Sequence, residues 1–587
     1  MPILKLLLDI TLMIIISKIK KVVWKNLNSK FLILFILLFL NSLLEVIGIG
    51  MIIPIYNLTV NFEDFSKDLS SSYPFLSFLL VHEKNSILIS LFTTFLCLII
   101  LKYIVYIFSN KFAINLTADL KSKITSKIFK YYTTQPYIFF KNRSSSIIIR
   151  DLLKEVTEFC DRFILGWINF YLEAFVVFFV LIFLMYMESI IVLYFFVYVS
   201  ICSFLFYFLI RKKIKRAGNL RNEIDEKKFS ILQNFIKNVK SIKIKNKESF
   251  FSNLFEKYIF KFEKTFAQFN FVQILSKPFL EFVGLSFIIV WTIIELYLNT
   301  SLVDLFLSLS LLILVCIRIL PSINKMIFNL GQIKFASPSK KIIFNELVNI
   351  EKSKINIDAK KMINFKNSLE LQNIHFGYLD KNFILNNINF KISRGEKICV
   401  IGPSGSGKTT FIEILAGLLK PIKGKIQIDK VHEFNFEKNI MNMMYVPQDL
   451  LLIDGTIAQN ISLSYDDIDK EKLENSIKLS GLKDFIGSQK NKENTDVGEL
   501  GNKLSGGQKQ RIGLARCFYD DSDVIIFDES LNAVDESMKK NLVKNIFNYF
   551  KSKTVIFVLH DKSFIDYFDR VIEINKSNLK EINLVDE

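Results

Sequence analysis

The sequence has few of the residues that build disulfide frameworks or zinc sites. Its 587 residues include 6 Cys and 4 His, all dispersed and without a C-x-x-C pair. This scatter argues against a small disulfide-rich domain and predicts no zinc site. The first apolar run, within residues 1–25, lacks a preceding basic stretch and a following A-x-A cleavage site. We therefore expect an amphipathic helix on the cytosolic face of a membrane rather than a signal peptide.

Long apolar runs, in contrast, are plentiful. Hydrophobic residues make up 51% of the chain, which contains 58 Phe, and this composition is more apolar than that of an ordinary soluble protein. A helix of about 20 apolar residues is long enough to cross about 30 Å of hydrocarbon. Runs of this length predict six membrane spans, at residues 31–56, 87–108, 163–187, 190–210, 278–298 and 301–324.

Positive charge is unevenly distributed between these spans. Lys and Arg crowd residues 109–162 and 211–277, whereas residues 57–86 contain only Lys67 and Lys84. Because cytoplasmic loops carry an excess of Lys and Arg, both termini are predicted to be cytoplasmic. The same sorting accounts for much of the net charge of +18, so no nucleic-acid partner is predicted. Both basic loops are too long for simple turns, and we expect helices that project into the cytosol and meet a docking partner at their tips.

The pattern of apolar residues changes in the second half of the sequence. Short β-like runs such as "KICVIG", "DVIIFDE" and "TVIFVLH" alternate with helical stretches, which is the pattern of an α/β domain. We predict a transmembrane domain over residues 1–326, a polar Lys-rich linker over 327–366 and an α/β P-loop nucleotide-binding domain over 367–587.

A phosphate-binding motif follows the apolar strand "KICVI". The next residues fit the pattern G-x-x-x-x-G-K-[ST], and the predicted nucleotide contacts are Gly402, Pro403, Ser404, Gly405, Ser406, Gly407, Lys408, Thr409 and Thr410. Glycines let backbone N–H groups wrap a phosphate, and the start of the following helix favours the anion. Lys408 is predicted to bridge the β- and γ-phosphates of ATP, and the Thr409 hydroxyl to hold Mg²⁺.

The acidic half of the site is predicted at the end of another apolar strand. "VIIFDE" places Asp528 and Glu529 at the end of a buried run. One carboxylate, that of Asp528, can hold Mg²⁺, while that of Glu529 can accept a proton from the attacking water. Together with the phosphate-binding loop, this strand predicts an ATPase.

The stretch "LSGGQ", a short way before "FDE", makes the domain resemble the nucleotide-binding domain of ABC transporters. The resemblance implies that ATP held by a second such domain is contacted by Leu504, Ser505, Gly506, Gly507 and Gln508. It also implies that Tyr378 stacks on adenine, that His560 contacts the γ-phosphate, and that Gln448 senses this phosphate and helps to hold Mg²⁺. Glu529, His560 and Gln448 are thus the predicted catalytic residues.

The chain departs from the family pattern at several positions. "NAVD", at 532–535, stands where the family usually has S-A-L-D, and its Asp535 is still expected to contact nucleotide. Ser530 replaces the commoner Ala, and Asp561 and Leu500 each replace a usual Arg. These changes leave the phosphate chemistry intact and concern contacts between subunits and domains.

Only one nucleotide-binding domain is present, so the resemblance implies a half-transporter that must dimerise. The simplest assembly is a two-fold homodimer that sandwiches two ATP molecules. A heterodimer with another half-transporter is the second option. Six spans joined to one ATPase resemble the ABC exporter architecture, in which ATP binding turns a central cavity outward.

The membrane half resembles the bacterial flippases that move lipid-linked oligosaccharides in protein N-glycosylation. The motifs that carry this resemblance are "LLEVIGIGMIIPI", "RILPSINKM" and "SIKIKNKESFFSNLF". It implies a polyprenyl diphosphate glycan as substrate and the bacterial inner membrane as location. Arg318 is predicted to contact the anionic headgroup, with Glu173 as its partner in the empty cavity; alternatively, Arg318 snorkels to the cytosolic surface.

Other functions stay open on the sequence alone. An exporter of phospholipid, lipid A, drugs or peptides would carry the same motifs. A membrane sensor or channel regulator would keep the spans and ATP binding without coupled transport. A soluble ABC ATPase acting on DNA or ribosomes would lack the spans altogether.

Overall fold

The computed structural model describes residues 10–24, 27–50, 84–186, 190–298, 302–353, 361–378, 383–430, 432–436, 439–520, 522–530, 536–559, 562–575 and 577–582. The chain divides into two compact units. Unit 1 comprises Met1–Gln135 and Arg143–Asn356, and unit 2 comprises Pro136–Asn142 and Ile357–Glu587. The tip of the first basic loop, residues 136–142, therefore belongs to the second unit.

Unit 1 is helical throughout its described residues. Its α-helices are Ile10–Val22, Leu27–Gly50, Lys84–Thr133, Ser145–Ile149, Val156–Glu158, Leu165–Tyr186, Ile190–Lys237, Val239–Ile244, Glu248–Ile274, Ser276–Tyr297, Leu302–Phe335 and Ser337–Lys352. Two π-helical turns, Arg150–Glu155 and Phe159–Ile164, interrupt the run that leads into Leu165–Tyr186. Lys84–Thr133 and Ile190–Lys237 contain 50 and 48 residues. At 1.5 Å per residue each is more than about 70 Å long, so both continue far beyond a bilayer, as the basic loops predict.

Five helical segments among the described residues are long and apolar enough to cross a membrane. They are Leu27–Gly48, Phe92–Thr133, Ser145–Phe183, Ile191–Lys237 and Glu248–Tyr297. The predicted sixth span, 301–324, falls on the helix Leu302–Phe335, which is not among these five. The multi-pass character of the chain is thus supported, whereas the number six is not confirmed. The end of the first predicted span, residues 51–56, lies outside the described residues.

The segment predicted as a polar linker, residues 327–366, is largely helical. The helix Leu302–Phe335 runs through its beginning, and the helix Ser337–Lys352 follows at once. Ile343 and Leu347 are completely buried within unit 1, and their four-residue spacing puts them on one helix face. The Lys-rich composition of the segment makes this apolar face difficult to recognise in the sequence. Because the helix packs within unit 1, the boundary between the two units lies after Asn356.

A buried ionic network joins four helical segments of unit 1. The guanidinium of Arg221, only 2% exposed, donates to a carboxylate oxygen of Glu155 at 3.0 Å and to the Ser339 hydroxyl at 2.9 Å. Arg221 also lies 3.3 Å from a carboxylate oxygen of Glu158. Because a buried charge is costly unless it is paired, these contacts hold the long helix Ile190–Lys237 against the π-helical turn Arg150–Glu155, the short helix that follows it and the helix Ser337–Lys352.

The described residues of unit 2 form three sheets. Its strands are β1 Lys361–Ile363, β2 Ser368–Phe376, β3 Leu385–Ser393, β4 Lys397–Ile401, β5 Lys423–Ile428, β6 His432–Glu433, β7 Asn439–Met441, β8 Met443–Val446, β9 Val524–Asp528, β10 Thr554–Val558, β11 Arg570–Asn575 and β12 Asn578–Ile582. The main sheet has the order β12-β11-β4-β10-β9-β8, a second sheet the order β3-β2-β5-β6, and β1 pairs with β7. The second sheet is antiparallel.

The described residues of unit 2 also form helices. They are Tyr137–Asn142, Lys408–Leu415, Ile457–Ser462, Lys470–Leu479, Lys483–Ser488, Gly506–Tyr519 and Glu536–Tyr549, with 3-10 turns at Lys492–Asn494, Glu499–Gly501 and Lys562–Tyr567. Strands β4, β9 and β10 are buried along their whole length, as expected for parallel strands covered on both faces. The α/β domain predicted from the alternating runs is therefore observed.

The parallel strands bring distant motifs to one edge of the main sheet. Neighbours β4, β10, β9 and β8 all run parallel, so their carboxyl ends lie side by side. The phosphate-binding loop follows β4, Asp528 ends β9, and Gln448 comes two residues after β8. Ligands of open α/β sheets bind at this edge. The topology thus assembles one site from motifs that are far apart in sequence.

Candidate nucleotide site

The phosphate-binding loop spans from the end of β4 to the helix Lys408–Leu415. Lys408 is largely buried, and its ammonium donates to the carbonyl oxygens of Gly402 at 2.8 Å and Pro403 at 3.2 Å. Burial lowers the pKa of Lys408, while Glu529 and Asp528 act in the opposite direction. The lysine therefore sits within its own loop, held by carbonyl oxygens that a phosphate can replace.

The glycines of this loop are needed for its backbone path. Gly402 has a φ of 151° and Gly405 a φ of 78°, in the region that residues with a Cβ rarely adopt. A Cβ at Gly402 would lie 2.3 Å from the carbonyl oxygen of Ile574. Pro403, Ser404 and Gly405 are exposed, so the tip of the loop is open to a ligand.

Asp528 occupies the buried end of β9. The hydroxyl of Tyr445, on the neighbouring strand β8, donates to its Oδ2 at 2.8 Å. Burial raises the pKa of Asp528, and the Tyr445 hydrogen bond is the largest influence that lowers it. Tyr445 therefore fixes one carboxylate oxygen and favours the charged form that a cation requires.

Glu529 and Gln448, which are 81 residues apart, meet at the edge of the sheet. The Gln448 side-chain amide donates to Oε2 of Glu529 at 3.0 Å. Glu529 has a φ of 51°, and its backbone N–H donates to the carbonyl of Val558 at the end of β10. This left-handed backbone conformation is unusual for a residue with a side chain. Two of the predicted catalytic residues are thus in direct contact.

The residues of the loop and of β9 fit a magnesium ion bound together with nucleotide. The Thr409 side chain is exposed at the start of the loop helix, and the Ser406 hydroxyl is buried without a hydrogen-bond partner in the described part of the chain. No group of three or more Asp, Glu, His or Cys forms a metal site by itself among the described residues. Thr409, Asp528 and Gln448 remain the predicted ligands.

The signature motif starts the helix Gly506–Tyr519. Its Ser505 is the N-cap: the Ser505 hydroxyl accepts from the backbone of Gln508 at 3.3 Å, and the Gln508 side chain accepts from the Ser505 backbone at 2.8 Å. Ser505 and Gly506 are exposed. Leu504 is half-buried and packs against the apolar cluster beside this helix. Within the described residues the side chains of Ser505 and Gln508 bond to the backbone of this same turn rather than to the phosphate-binding loop of their own chain. The signature motif can therefore face another molecule.

The side chain of Tyr378 is 45% exposed. Its ring packs edge-on against Phe376, and its hydroxyl accepts from the ammonium of Lys141 at 2.9 Å. Lys141 also donates to both carboxylate oxygens of Glu413, at 2.9 and 2.8 Å. Glu413 belongs to the helix of the phosphate-binding loop, so the tip segment 136–142 holds both this helix and Tyr378. Stacking of Tyr378 on adenine stays a prediction.

Several predicted residues lie outside the described residues. These are His560 and the adjoining Asp561, and the stretch 532–535 with Asp535. In the sequence His560 comes two residues after the end of β10, the strand between β4 and β9. The roles assigned to His560 and Asp535 therefore stay predictions.

The predicted pairing of Arg318 with Glu173 in unit 1 is wrong. The Arg318 guanidinium contacts the carboxylate of Glu45, whereas Glu173 pairs with Lys325 at 2.8 Å. Residues 318 and 325 are seven apart on one helix, two turns along, and sequence spacing alone does not say which of them a neighbouring helix reaches. A substrate role for Arg318 and Glu173 stays a prediction.

Three residues of the nucleotide site were missed by the sequence analysis. Tyr445 lies three residues before Gln448, and β8 pairs with β9, so a strand-pairing prediction could have placed it beside Asp528. Glu413 lies one turn beyond Thr409 on the loop helix. For Lys141 the sequence offers one indication only: it lies near the middle of a basic loop whose tip is expected to meet a docking partner.

Both halves of the chain match family models of membrane transporters. Residues 31–320 match the ABC transporter transmembrane region, and residues 385–532 match the ABC transporter model. The fold is similar to that of a bacterial Atm1-family ABC exporter solved with ATP bound, with a TM-score of 0.70 and 18% identity over 94% of this chain and 95% of that chain. At this identity the likeness shows the fold alone.

Curated relatives include the leukotoxin export ATP-binding protein LtxB of Aggregatibacter actinomycetemcomitans, 35% identical over 36% of this chain and 31% of its own length. The alpha-hemolysin translocation ATP-binding protein HlyB of Escherichia coli is 36% identical over the same shares. The chloroplastic ABC transporter B family member 29 of Arabidopsis thaliana is 34% identical over 43% of this chain and 41% of its own length. The matched region thus spans less than half of these relatives.

The fold and the site define a P-loop ATPase unit joined in one polypeptide to a helical membrane unit. With both family models matched, the chain belongs to the ABC transporter family, and its fold is similar to that of an ABC exporter.

Proposed function

We propose that this chain hydrolyses ATP between its own phosphate-binding loop and the signature helix of a second copy. Lys408 exchanges its loop carbonyls for the β- and γ-phosphates, where its charge binds more strongly. Glu529 accepts a proton from the attacking water, and the Gln448 amide, 3.0 Å from its Oε2, orients the carboxylate. Thr409, Asp528 and Gln448 would hold Mg²⁺, which would neutralise phosphate charge. The observation that carries this proposal is the convergence of loop, Asp528, Glu529 and Gln448 at one sheet edge.

The proposed assembly is a homodimer with two-fold symmetry. Ser505 and Gly506 are exposed at the start of a fourteen-residue helix, and backbone N–H groups at such a start favour an anion. Because the same chain supplies both the loop and the signature, two copies complete two identical sites. A heterodimer with a different half-transporter would complete each site from unlike halves.

The proposed work of this ATPase is outward movement of an amphiphile across a bacterial inner membrane, with both termini in the cytoplasm. Long helices that continue beyond the apolar spans, and a loop tip that belongs to the ATPase unit, support the coupling. We propose a lipid-linked oligosaccharide, a polyprenyl diphosphate glycan, as substrate. Its support is the motif resemblance together with a surplus of positive charge among the apolar helices, where Lys102 and Arg318 share the single carboxylate of Glu45.

Export of a polypeptide is the second candidate. The relatives LtxB and HlyB are named for leukotoxin export and alpha-hemolysin translocation, and they match about a third of this chain. A polypeptide substrate needs no fixed anion site among the spans, which separates the two candidates.

Reconstitution in liposomes tests the proposal. The purified chain is supplied with ATP and, in separate arms, a fluorescent lipid-linked glycan, a fluorescent phosphatidylcholine, a cationic dye and a labelled unfolded polypeptide. We expect ATP-dependent movement of the glycan lipid above the other three. Movement of the polypeptide alone would favour the second candidate, and ATP hydrolysis without movement in any arm would contradict an exporter of these classes.

A further inference from the structure

Three charged side chains meet among the apolar helices of unit 1. Glu45 lies on the helix Leu27–Gly50, Lys102 on Lys84–Thr133 and Arg318 on Leu302–Phe335. The Lys102 ammonium is 2.8 Å from Oε1 of Glu45, and the Arg318 guanidinium contacts the same oxygen atom. One carboxylate is therefore shared by two cations.

This cluster, the Glu45 triad, carries one surplus positive charge. Within the described residues Glu45 is the ion-pair partner of both Lys102 and Arg318. The neighbouring pair Lys325–Glu173 is balanced, one cation to one carboxylate at 2.8 Å. A charge among apolar helices is costly unless a partner compensates it. One further anion would therefore compensate the surplus positive charge of the triad.

The triad also has unused hydrogen-bonding groups. Asn41, 1% exposed, lies four residues before Glu45 on the same face of its helix, and its amide nitrogen and oxygen both lack a partner within the described chain. The Nε of Arg318 is likewise buried without a partner there. Glu45 is 7% exposed, whereas the Lys102 and Arg318 side chains are 22% and 34% exposed. The carboxylate is covered and the two cations stay accessible.

We propose that Lys102 and Arg318 bind the anionic head, a phosphate or carboxylate, of an amphiphile that the transporter moves. The guanidinium offers a planar fork of donors for such an oxyanion, and the ammonium adds a point charge. Glu45 holds both cations in place when no anion is bound. The apolar helices around the triad suit an attached hydrocarbon chain. This assignment rests on the proposed export function and names the chemical class of its substrate.

Binding of radiolabelled dodecyl phosphate tests the assignment. The full chain is placed in nanodiscs of phosphatidylcholine, and Kd is measured for wild type, Arg318→Gln and Lys102→Gln. We expect each variant to weaken binding by about tenfold or more, as for a lost charge-assisted contact. Lys325→Gln, a matched control on the same helix, should leave Kd within about twofold. Glu45→Gln should tighten binding, since it doubles the surplus charge.

Several results would overturn the assignment. These are an unchanged Kd in both Arg318→Gln and Lys102→Gln, an equal loss in Lys325→Gln, or equally tight binding of dodecyltrimethylammonium. Displacement of the probe by an equal concentration of inorganic phosphate would reject an amphiphile in favour of a free anion. Failure of Arg318→Gln to bind a fluorescent ATP analogue would indicate that this variant is misfolded. Arg318→Lys is then used instead: it keeps the charge and should retain most of the binding of dodecyl phosphate. Loss of that binding in Arg318→Lys also counts against the assignment.

The same nanodiscs separate this assignment from the proposed function. Wild-type ATP hydrolysis without any binding of dodecyl phosphate would reject the anion site alone. Absence of ATP hydrolysis by the wild type would reject the proposed function itself.

Discussion

Replacement of Lys141 by Met is expected to loosen the helix of the phosphate-binding loop. The Lys141 ammonium makes two contacts with the Glu413 carboxylate, at 2.9 and 2.8 Å. The side chain of Glu413 is 6% exposed and that of Lys141 32% exposed. Leaving a buried carboxylate without its partner costs several kcal/mol when both ions are covered. Because Lys141 is a third exposed, we expect a loss of about 1–3 kcal/mol.

Hydrogen exchange measures this loss at the place where it arises. Backbone amides of Lys408–Leu415 should exchange about 5–150-fold faster in Lys141→Met, the rate equivalent of that free energy. Amides of the signature helix Gly506–Tyr519 serve as the internal control and should not change. In a Glu413→Gln background, where no buried charge is left behind, the effect of Lys141→Met should fall to less than half. An equal effect in both backgrounds would refute the reasoning.

The pH dependence of this effect follows from the pKa of Lys141. Burial lowers this pKa, but hydrogen bonds with Glu413 and Tyr378 outweigh burial and raise it overall. A raised lysine pKa gives stability that is present below the unfolded value, near 10.4, and is lost as pH rises through the folded value. The difference between wild type and Lys141→Met should thus be constant from about pH 6 to 9.

Two further substitutions test other parts of the site. Tyr445→Phe removes the hydrogen bond that lowers the pKa of Asp528, so the acidic limb of the ATPase pH profile should move to higher pH. The control Tyr465→Phe, at an exposed tyrosine, should leave this limb in place. An unmoved limb in Tyr445→Phe would count against the role of the Tyr445 hydroxyl. Mixing Lys408→Ala chains with Gly507→Asp chains should rebuild one intact site per mixed dimer and restore part of the ATPase activity that each variant lacks alone. If the mixture recovers no ATPase activity, a site shared between two copies is contradicted.

The sequence predicted the parts of the site that come from local pattern. The loop from Gly402 to Thr409, the strand that ends at Asp528 and the signature at Ser505 are each contiguous, and each has a chemistry that needs those residue types. Parallel strand order then accounts for their assembly, since adjoining carboxyl ends form one edge. The contact between Gln448 and Glu529 follows from this order.

Contacts between distant side chains were not predictable in the same way. Lys141 reaches Glu413 across 272 residues, and no spacing rule relates a loop tip to the face of a particular helix. Glu173 is the partner predicted for Arg318, but the rotation of a helix about its axis decides which side chains meet, and the observed partner is Glu45. The helix Ser337–Lys352 was not predicted, because polar residues outnumber the apolar ones along it and two of them, Ser339 and Glu346, are themselves buried.

Turnover by Glu529→Gln tests the central claim most directly. The variant keeps the size of the side chain and removes the carboxylate that accepts the proton from water. We predict that it binds ATP as tightly as wild type, hydrolyses it at least about 100-fold more slowly, as general-base catalysis implies, and accumulates as a closed dimer. Near-normal ATP hydrolysis by the purified, dimeric variant would contradict the account.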